Sequence, residues 1–266
     1  MRTMTMQTPF GLVDHDSYQL HVFCDGLVMG SRVFKTPTLY HASAWLWREG
    51  QDVVEVANDE GGMTQSDAGH LDISGAALGI SAGPDGGRWA VGDDLVVDFR
   101  PQTEFRWPDT RSEVVHQPDM QVTLTVDGES HSGIGYTKRY GWTPAPRHWG
   151  YRFIQGYADD RRINLWTAEA TFGEAQYDYF KILRPDGRLA EAGRWDSCHR
   201  DEGARGIIDG EEVRVTMEEL GRWEAPLRSA AMDSLMRQRV VRLNVETDAA
   251  SHTGIAINES CYGSLG

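Results

Sequence analysis

Tyr136 and Lys138 stand two residues apart in "SHSGIGYTKRYG", residues 130–141. In a strand, alternate side chains share a face, so the phenol and the ammonium point the same way. An ammonium beside a phenol favours the phenolate and makes the pair a candidate acid–base centre. The plainer alternative is a buried tyrosine beside an exposed lysine. Three further groups could move protons. His148 lies beside Trp149 in "GWTPAPRHWG", Glu169 lies in "LWTAEATFG", and Glu259 lies in the closing "GIAINES". Addition to, or rearrangement of, an apolar substrate needs a dry pocket, a proton donor or acceptor, and something to stabilise developing charge. Aromatic faces stabilise cations, so Trp142, Trp149, Trp166 and Tyr151 are the candidate substrate-binding residues. For any one of them, core packing is the competing role. Glu169 follows Trp166 by three residues and so faces opposite to it in a regular strand.

The elements that must hold these groups read as strands. "LYHASAWLWREG", "MQVTLTVDGES", "YRFIQGYADDRRINLWTAEATFG", "YDYFKILRPDGRL" and "RVVRLNVETD" are β-branched or aromatic runs cut by turn signals. Asp85-Gly86, Asp127-Gly128, Asp186-Gly187 and Asp209-Gly210 supply residues that tolerate positive φ at hairpin turns. "ILRPDGRL" is the clearest turn, and "YADDRR" is a second. The spacing of Leu227, Ala230, Ala231, Leu235 and Met236 predicts one short helix from Pro226 to Gln238. One helix among many hairpins means an all-β protein of sandwiches or barrels.

The chain also repeats itself. "SHSGIGY" returns as "SHTGIAI" at residues 251–257, an offset of 252 − 131 = 121 between His131 and His252. Each copy follows a similar strand and turn, which suggests a duplicated unit of about half the chain. Gly133, Gly135 and Thr137 form a small face in the first copy; Gly254, Ala256 and Asn258 form it in the second. A glycine face lets a strand or a ligand approach the backbone closely. Lys138 and Glu259 fall at equivalent positions with opposite charge. "GWTPAPRHWG", rich in Pro and Gly, reads as the connector, so the units are expected to be 1–141 and 142–266.

The strand "SGIGYTKRYGW", the proline-containing turn and "HWGYRFIQGYADDRRINLWTAEATFG" resemble the central segment of the carotenoid 1,2-hydratase and AttH-like proteins. "HLDISGAALGI" and "GIAINES" fit the same layout. The resemblance implies two lipocalin-like β-sandwich or barrel halves in tandem. It also implies hydration, cyclisation or isomerisation of apolar substrates with no organic cofactor, in a ligand cavity formed by the β-units. One departure bears on mechanism. Where the hydratases carry acidic and His residues after Gly-x-Gly-Tyr, this chain carries Thr137, Lys138, Arg139 and Tyr140. That shifts acid–base work toward Tyr or Lys and toward substrates bearing a carbonyl or a phenol.

Composition narrows the rest. A formal charge of −14 argues against nucleic-acid and anionic-membrane partners. No nucleotide-binding glycine motif, nucleophile elbow, HExxH or close His pair occurs, so neither a cofactor nor a metal is expected. Cys24, Cys198 and Cys261 are far apart, and the first residues hold no apolar signal-type run, so a cytoplasmic protein is expected. The oligomeric state is open. The leading reading is a cofactor-independent lyase or isomerase acting on an apolar small molecule. One alternative is a carrier of a hydrophobic ligand. Another is a carbohydrate-binding or -cleaving protein pairing Glu169 with Glu259, whose carboxylates would have to stand about 5 to 9 Å apart.

Overall fold

The computed structural model describes residues 15–35, 40–59, 64–67, 71–83, 85–108, 112–142, 146–158, 163–198, 203–229 and 232–265. Its two compact units span residues 1–145 and 146–266. The first holds β1 (His15–Cys24), β2 (Leu27–Lys35), β3 (Tyr40–Arg48), β4 (Val54–Asp59), β5 (Thr64–Asp67), β6 (Leu71–Ser74), β7 (Leu78–Gly83), β8 (Gly86–Val91), β9 (Leu95–Pro108), β10 (Ser112–Val126) and β11 (Glu129–Trp142). The second holds β12 (His148–Ala158), β13 (Ile163–Phe172), β14 (Ala175–Leu183), β15 (Leu189–Glu191), β16 (Arg194–Cys198), β17 (Gly203–Ile208), β18 (Glu211–Ser229), β19 (Met232–Thr247) and β20 (Ser251–Leu265). The described residues include no helix.

Each unit is one antiparallel meander closed in the same way. In the first, the sheet order is β4-β3-β2-β1-β11-β10-β9-β8-β7-β6-β5. In the second it is β15-β14-β13-β12-β20-β19-β18-β17-β16. The first strand of each unit therefore pairs with its last. The repeated sequence occupies equivalent strands, β11 and β20, so the duplication seen in the letters is a duplication of topology. Its glycines have a physical reason. A Cβ on Gly133 would lie 2.3 Å from the Phe23 carbonyl oxygen, and one on Gly254 would lie 1.8 Å from that of Tyr157. The first strand presses against the last at these points, and only hydrogen fits.

Both sheets curl around an apolar inner face. In the first unit Tyr18 on β1 meets Trp89 on β8 with ring centroids 5.1 Å apart. The Trp89 Nε1–H donates to Ser31 Oγ on β2 at 2.9 Å. Leu20, Met29, Val97 and Leu124 fill the space between. In the second unit Ser197 on β16 donates to Glu169 Oε2 on β13 at 2.6 Å, bringing distant parts of one sheet together. Leu165, Phe180, Val215 and Leu243 form that core. Hairpins at Asp127-Gly128 and Asp209-Gly210 take positive φ at both residues, as their composition requires. "ILRPDGRL" also turns as expected, with the Gly187 N–H donating to the Arg184 carbonyl at 2.9 Å. The tip of "YADDRR" lies outside the described residues, as do residues 143–145 of the connector.

The helix expected from Pro226 to Gln238 is absent; β18 runs to Ser229 and β19 starts at Met232. From Met232 the chain alternates buried and accessible with period two, and this outweighs the chance helical spacing of its apolar residues. Pro226 is tolerated because β17 pairs with β18 only as far as Val215, leaving the later part of β18 as an edge.

Candidate active site

On the outer face of the first sheet, register sets two adjacent ranks of buried side chains. One runs Trp45, Gly30, His21, Tyr136 across β3, β2, β1 and β11. The next runs Ser43, Arg32, Gln19, Lys138, His116 and reaches β10. Apart from Gly30, every one of these side chains is polar or aromatic, and all are buried. Gly30 is required by packing, because a Cβ there would lie 2.5 Å from the Trp45 indole. The absent side chain lets that indole approach His21, with centroids 6.1 Å apart.

Tyr136 therefore sits between two imidazoles. The His21 ring lies 4.9 Å away, tilted by 30°. The His116 ring meets it edge-on at 6.2 Å. Lys138 shares the face, one rank along and directly opposite both Gln19 and His116. The next rank steadies the group. Arg32 Nε donates to Ser17 Oγ at 2.8 Å and Nη2 donates to the Tyr140 hydroxyl at 3.1 Å. The Arg32 guanidinium also lies 5.0 Å from the Phe34 ring centroid. A phenol, two imidazoles and an ammonium in one buried array have the composition of a proton-transfer site.

The opposite face of the same strands carries different chemistry. Thr137 Oγ1 donates to Gln117 Oε1 at 2.8 Å, and Gln117 Nε2 donates to Glu104 Oε2 at 2.9 Å. Burial pushes the Tyr18 hydroxyl up to about 12; Arg139 and a hydrogen bond with Thr137 pull it back, while Glu104 adds to the rise. Tyr18 thus stays protonated at neutral pH and serves as a fixed hydrogen-bonding group.

In the second unit the outer face holds Glu259, fully buried. The Tyr151 hydroxyl donates to its Oε1 at 2.5 Å, and Gln238 Nε2 donates to Oε2. Phe153 lies directly opposite on β12, and the Tyr151 ring stacks on Phe172 with centroids 5.7 Å apart. Trp149 and Trp166 are buried on this face, with Trp149 Nε1 donating to Cys261 Sγ at 3.3 Å. Lys138 and Glu259 hold equivalent places in their units, yet their surroundings have diverged. Lys138 faces Gln19 and His116, and Glu259 faces Phe153 and Gln238.

The remaining candidates separate. His148 is exposed at the start of β12, where its carbonyl accepts from the Gly173 N–H at 2.9 Å. Trp142 ends β11, and its side chain lies outside the described residues. Glu169 is half-buried on the inner face, opposite Arg152. Since Arg152 in turn faces Ser260, Glu169 and Glu259 project from opposite faces of the sheet. They cannot flank one glycosidic bond, so the carboxylate pair drawn from the letters does not form. Among the described residues no group of three or more His, Cys, Asp or Glu side chains is placed to hold a metal ion.

His21, His116, Gln19 and Arg32 were not recognisable as site residues from the sequence. They lie on three strands, β1, β2 and β10, and only the β1–β2, β1–β11 and β10–β11 registers bring them to Tyr136. One signal was available: a histidine in an alternating apolar strand, "YQLHVF", sits where a solvent-facing position or a buried functional group must occur.

No protein-family profile matches the chain, and no curated protein matches it. Solved structures do. Kievitone hydratase from Nectria haematococca superposes with a TM-score of 0.67 at 12% identity, covering 98% of this chain and 93% of its own. A protein assigned as AttH from Nitrosomonas europaea gives 0.57 at 13% identity, covering 97% and 96%. CghA with Sch210972 gives 0.61 at 9% identity, covering 95% and 88%. At such identities the likeness is one of fold: the chain has the tandem lipocalin-like architecture shared by kievitone hydratase and the AttH-like proteins.

Proposed function

We propose that this protein is a cofactor-independent lyase or isomerase. It hydrates, cyclises or isomerises an apolar small molecule bearing a carbonyl or a phenol, such as a terpenoid, a steroid or a polyphenol. The observation that carries the reading is Tyr136, buried between His21 and His116 with Lys138 on the same face. A carrier needs an apolar lining. Burying an ammonium and two imidazoles costs free energy that a carrier gains nothing from. In the proposed chemistry the Tyr136 hydroxyl protonates the substrate oxygen. A flanking imidazole takes a proton from the adjacent carbon or from attacking water. The Lys138 ammonium stabilises the negative charge that develops. Glu259, held by Tyr151 and Gln238, is the second unit's acid–base group. The fold neighbours lend support: one is named for hydrating kievitone, and another was crystallised with Sch210972.

The test is native mass spectrometry of protein purified from its source organism, with identification of the released small molecule and of its fate on incubation. A chemically changed molecule supports the reading. Tyr136→Phe should then lower turnover by about 10²–10⁴-fold, the usual range for removing a proton-transfer group. Lys138→Met should act in the same direction. A molecule returned intact identifies a carrier, and wild-type turnover in Tyr136→Phe removes Tyr136 from the chemistry.

A further inference from the structure

The second unit has a pocket of about 330 Å³, walled by Gly150, Arg152, Glu169, Thr171 and Tyr262 and also lined by Tyr151 and Ala170. Two observations point to a ligand of particular chemistry.

The first is Tyr262, an aromatic side chain left 60% exposed. It stands directly opposite Gly150, where a Cβ would lie 3.1 Å from the ring. The missing side chain leaves the ring lying across the strand as an accessible platform. The second is the pairing of charges. Arg152 and Glu169 are direct cross-strand partners, and Ser197 fixes the carboxylate by donating to Oε2 at 2.6 Å.

Charge decides between ligand classes. An anion drawn to Arg152 would meet Glu169, and a cation drawn to Glu169 would meet Arg152. A wholly apolar body would strip water from both without replacing it. A neutral ring carrying vicinal hydroxyls satisfies both. Its O–H groups donate to Glu169 and accept from Arg152, and its C–H face lies on Tyr262. We propose that this pocket binds a hexopyranose ring, as a free sugar or as the sugar of a glycoside. The site is independent of the Tyr136 chemistry and needs no carboxylate pair.

The experiment is saturation-transfer NMR on the full chain with a panel of methyl hexopyranosides, and with cyclohexanol as a ring lacking vicinal hydroxyls. At least one hexopyranoside should show transfer at millimolar concentration, and cyclohexanol should show none. Tyr262→Ala and Glu169→Gln should each weaken that binding at least tenfold. Tyr262 is exposed, so its variant should keep the wild-type melting temperature. The proposal is overturned if no hexopyranoside shows transfer. It is also overturned if cyclohexanol binds equally well, or if Tyr262→Ala binds as the wild type does.

Discussion

Gly254→Ala should be among the most damaging single methyls in the second unit. The added carbon would lie 1.8 Å from the Tyr157 carbonyl oxygen and 2.6 Å from the Ala158 Cα. Both are backbone atoms of β12, so no side chain can swing away. Relief requires the strands to part by more than about 1 Å to regain ordinary contact distance. The parting falls at the end of a ladder that pairs β12 with β20 from Ala158–Gly254 to His148–Ser264. Overpacking costs about 1–3 kcal/mol even where neighbours can adjust, and here they cannot, so about 3 kcal/mol is expected. For a unit of 266 − 146 + 1 = 121 residues that corresponds to a melting-temperature drop of about 10 °C. The control is Gly193→Ala, where a Cβ meets nothing within 4 Å. It should be neutral, or stabilising by up to about 1 kcal/mol through the unfolded chain. Calorimetry of the whole chain reads both variants. A Gly254→Ala protein within about 0.5 kcal/mol of wild type would refute the claim that close strand approach is why the repeat is written with glycine.

Other expectations follow from particular contacts. Tyr151→Phe removes one of the two donors that hold the buried Glu259, and should cost about 1–3 kcal/mol, the usual penalty for leaving a buried acceptor short of a partner; urea denaturation checks this, and an unchanged midpoint would mean the pair is not formed. Tyr18 titrates at about 12 when folded against 10.0 in its ordinary state. Its contribution is therefore fully present below pH 10 and is lost as the pH rises toward 12. In Tyr18→Phe the fall in stability over that interval should be shallower by about 2 kcal/mol, in urea titrations at each pH. Trp45 packs over Gly30, so Gly30→Ala should displace the indole from His21 and lower turnover as well as stability, read by steady-state kinetics beside calorimetry.

The strand content, the hairpin turns and the duplication are legible in the letters because each rests on neighbours in the chain. Asp-Gly pairs demand positive φ wherever they fall, and period-two burial follows from the pleat. The helix expected from Pro226 to Gln238 failed for a related reason. A few apolar residues at helical spacing say less than the strands beside them, and β19 was already committed to pairing with β20 along its length.

The letters also placed Tyr136 with Lys138, and Glu169 opposite Trp166, since parity along a strand is a local property. What faces each of those groups is not local. His21 reaches Tyr136 from the other end of the unit because β1 closes the sheet on β11, and a shift of one residue in that register would have put Val22 there instead. The same parity, carried across β12, sets Glu169 with Arg152 on one face and Glu259 with Tyr151 on the other. The residue types and their order were readable from the chain. Which side of which sheet each one serves was decided by strand pairing between residues far apart in sequence, a long-range choice that no local pattern records.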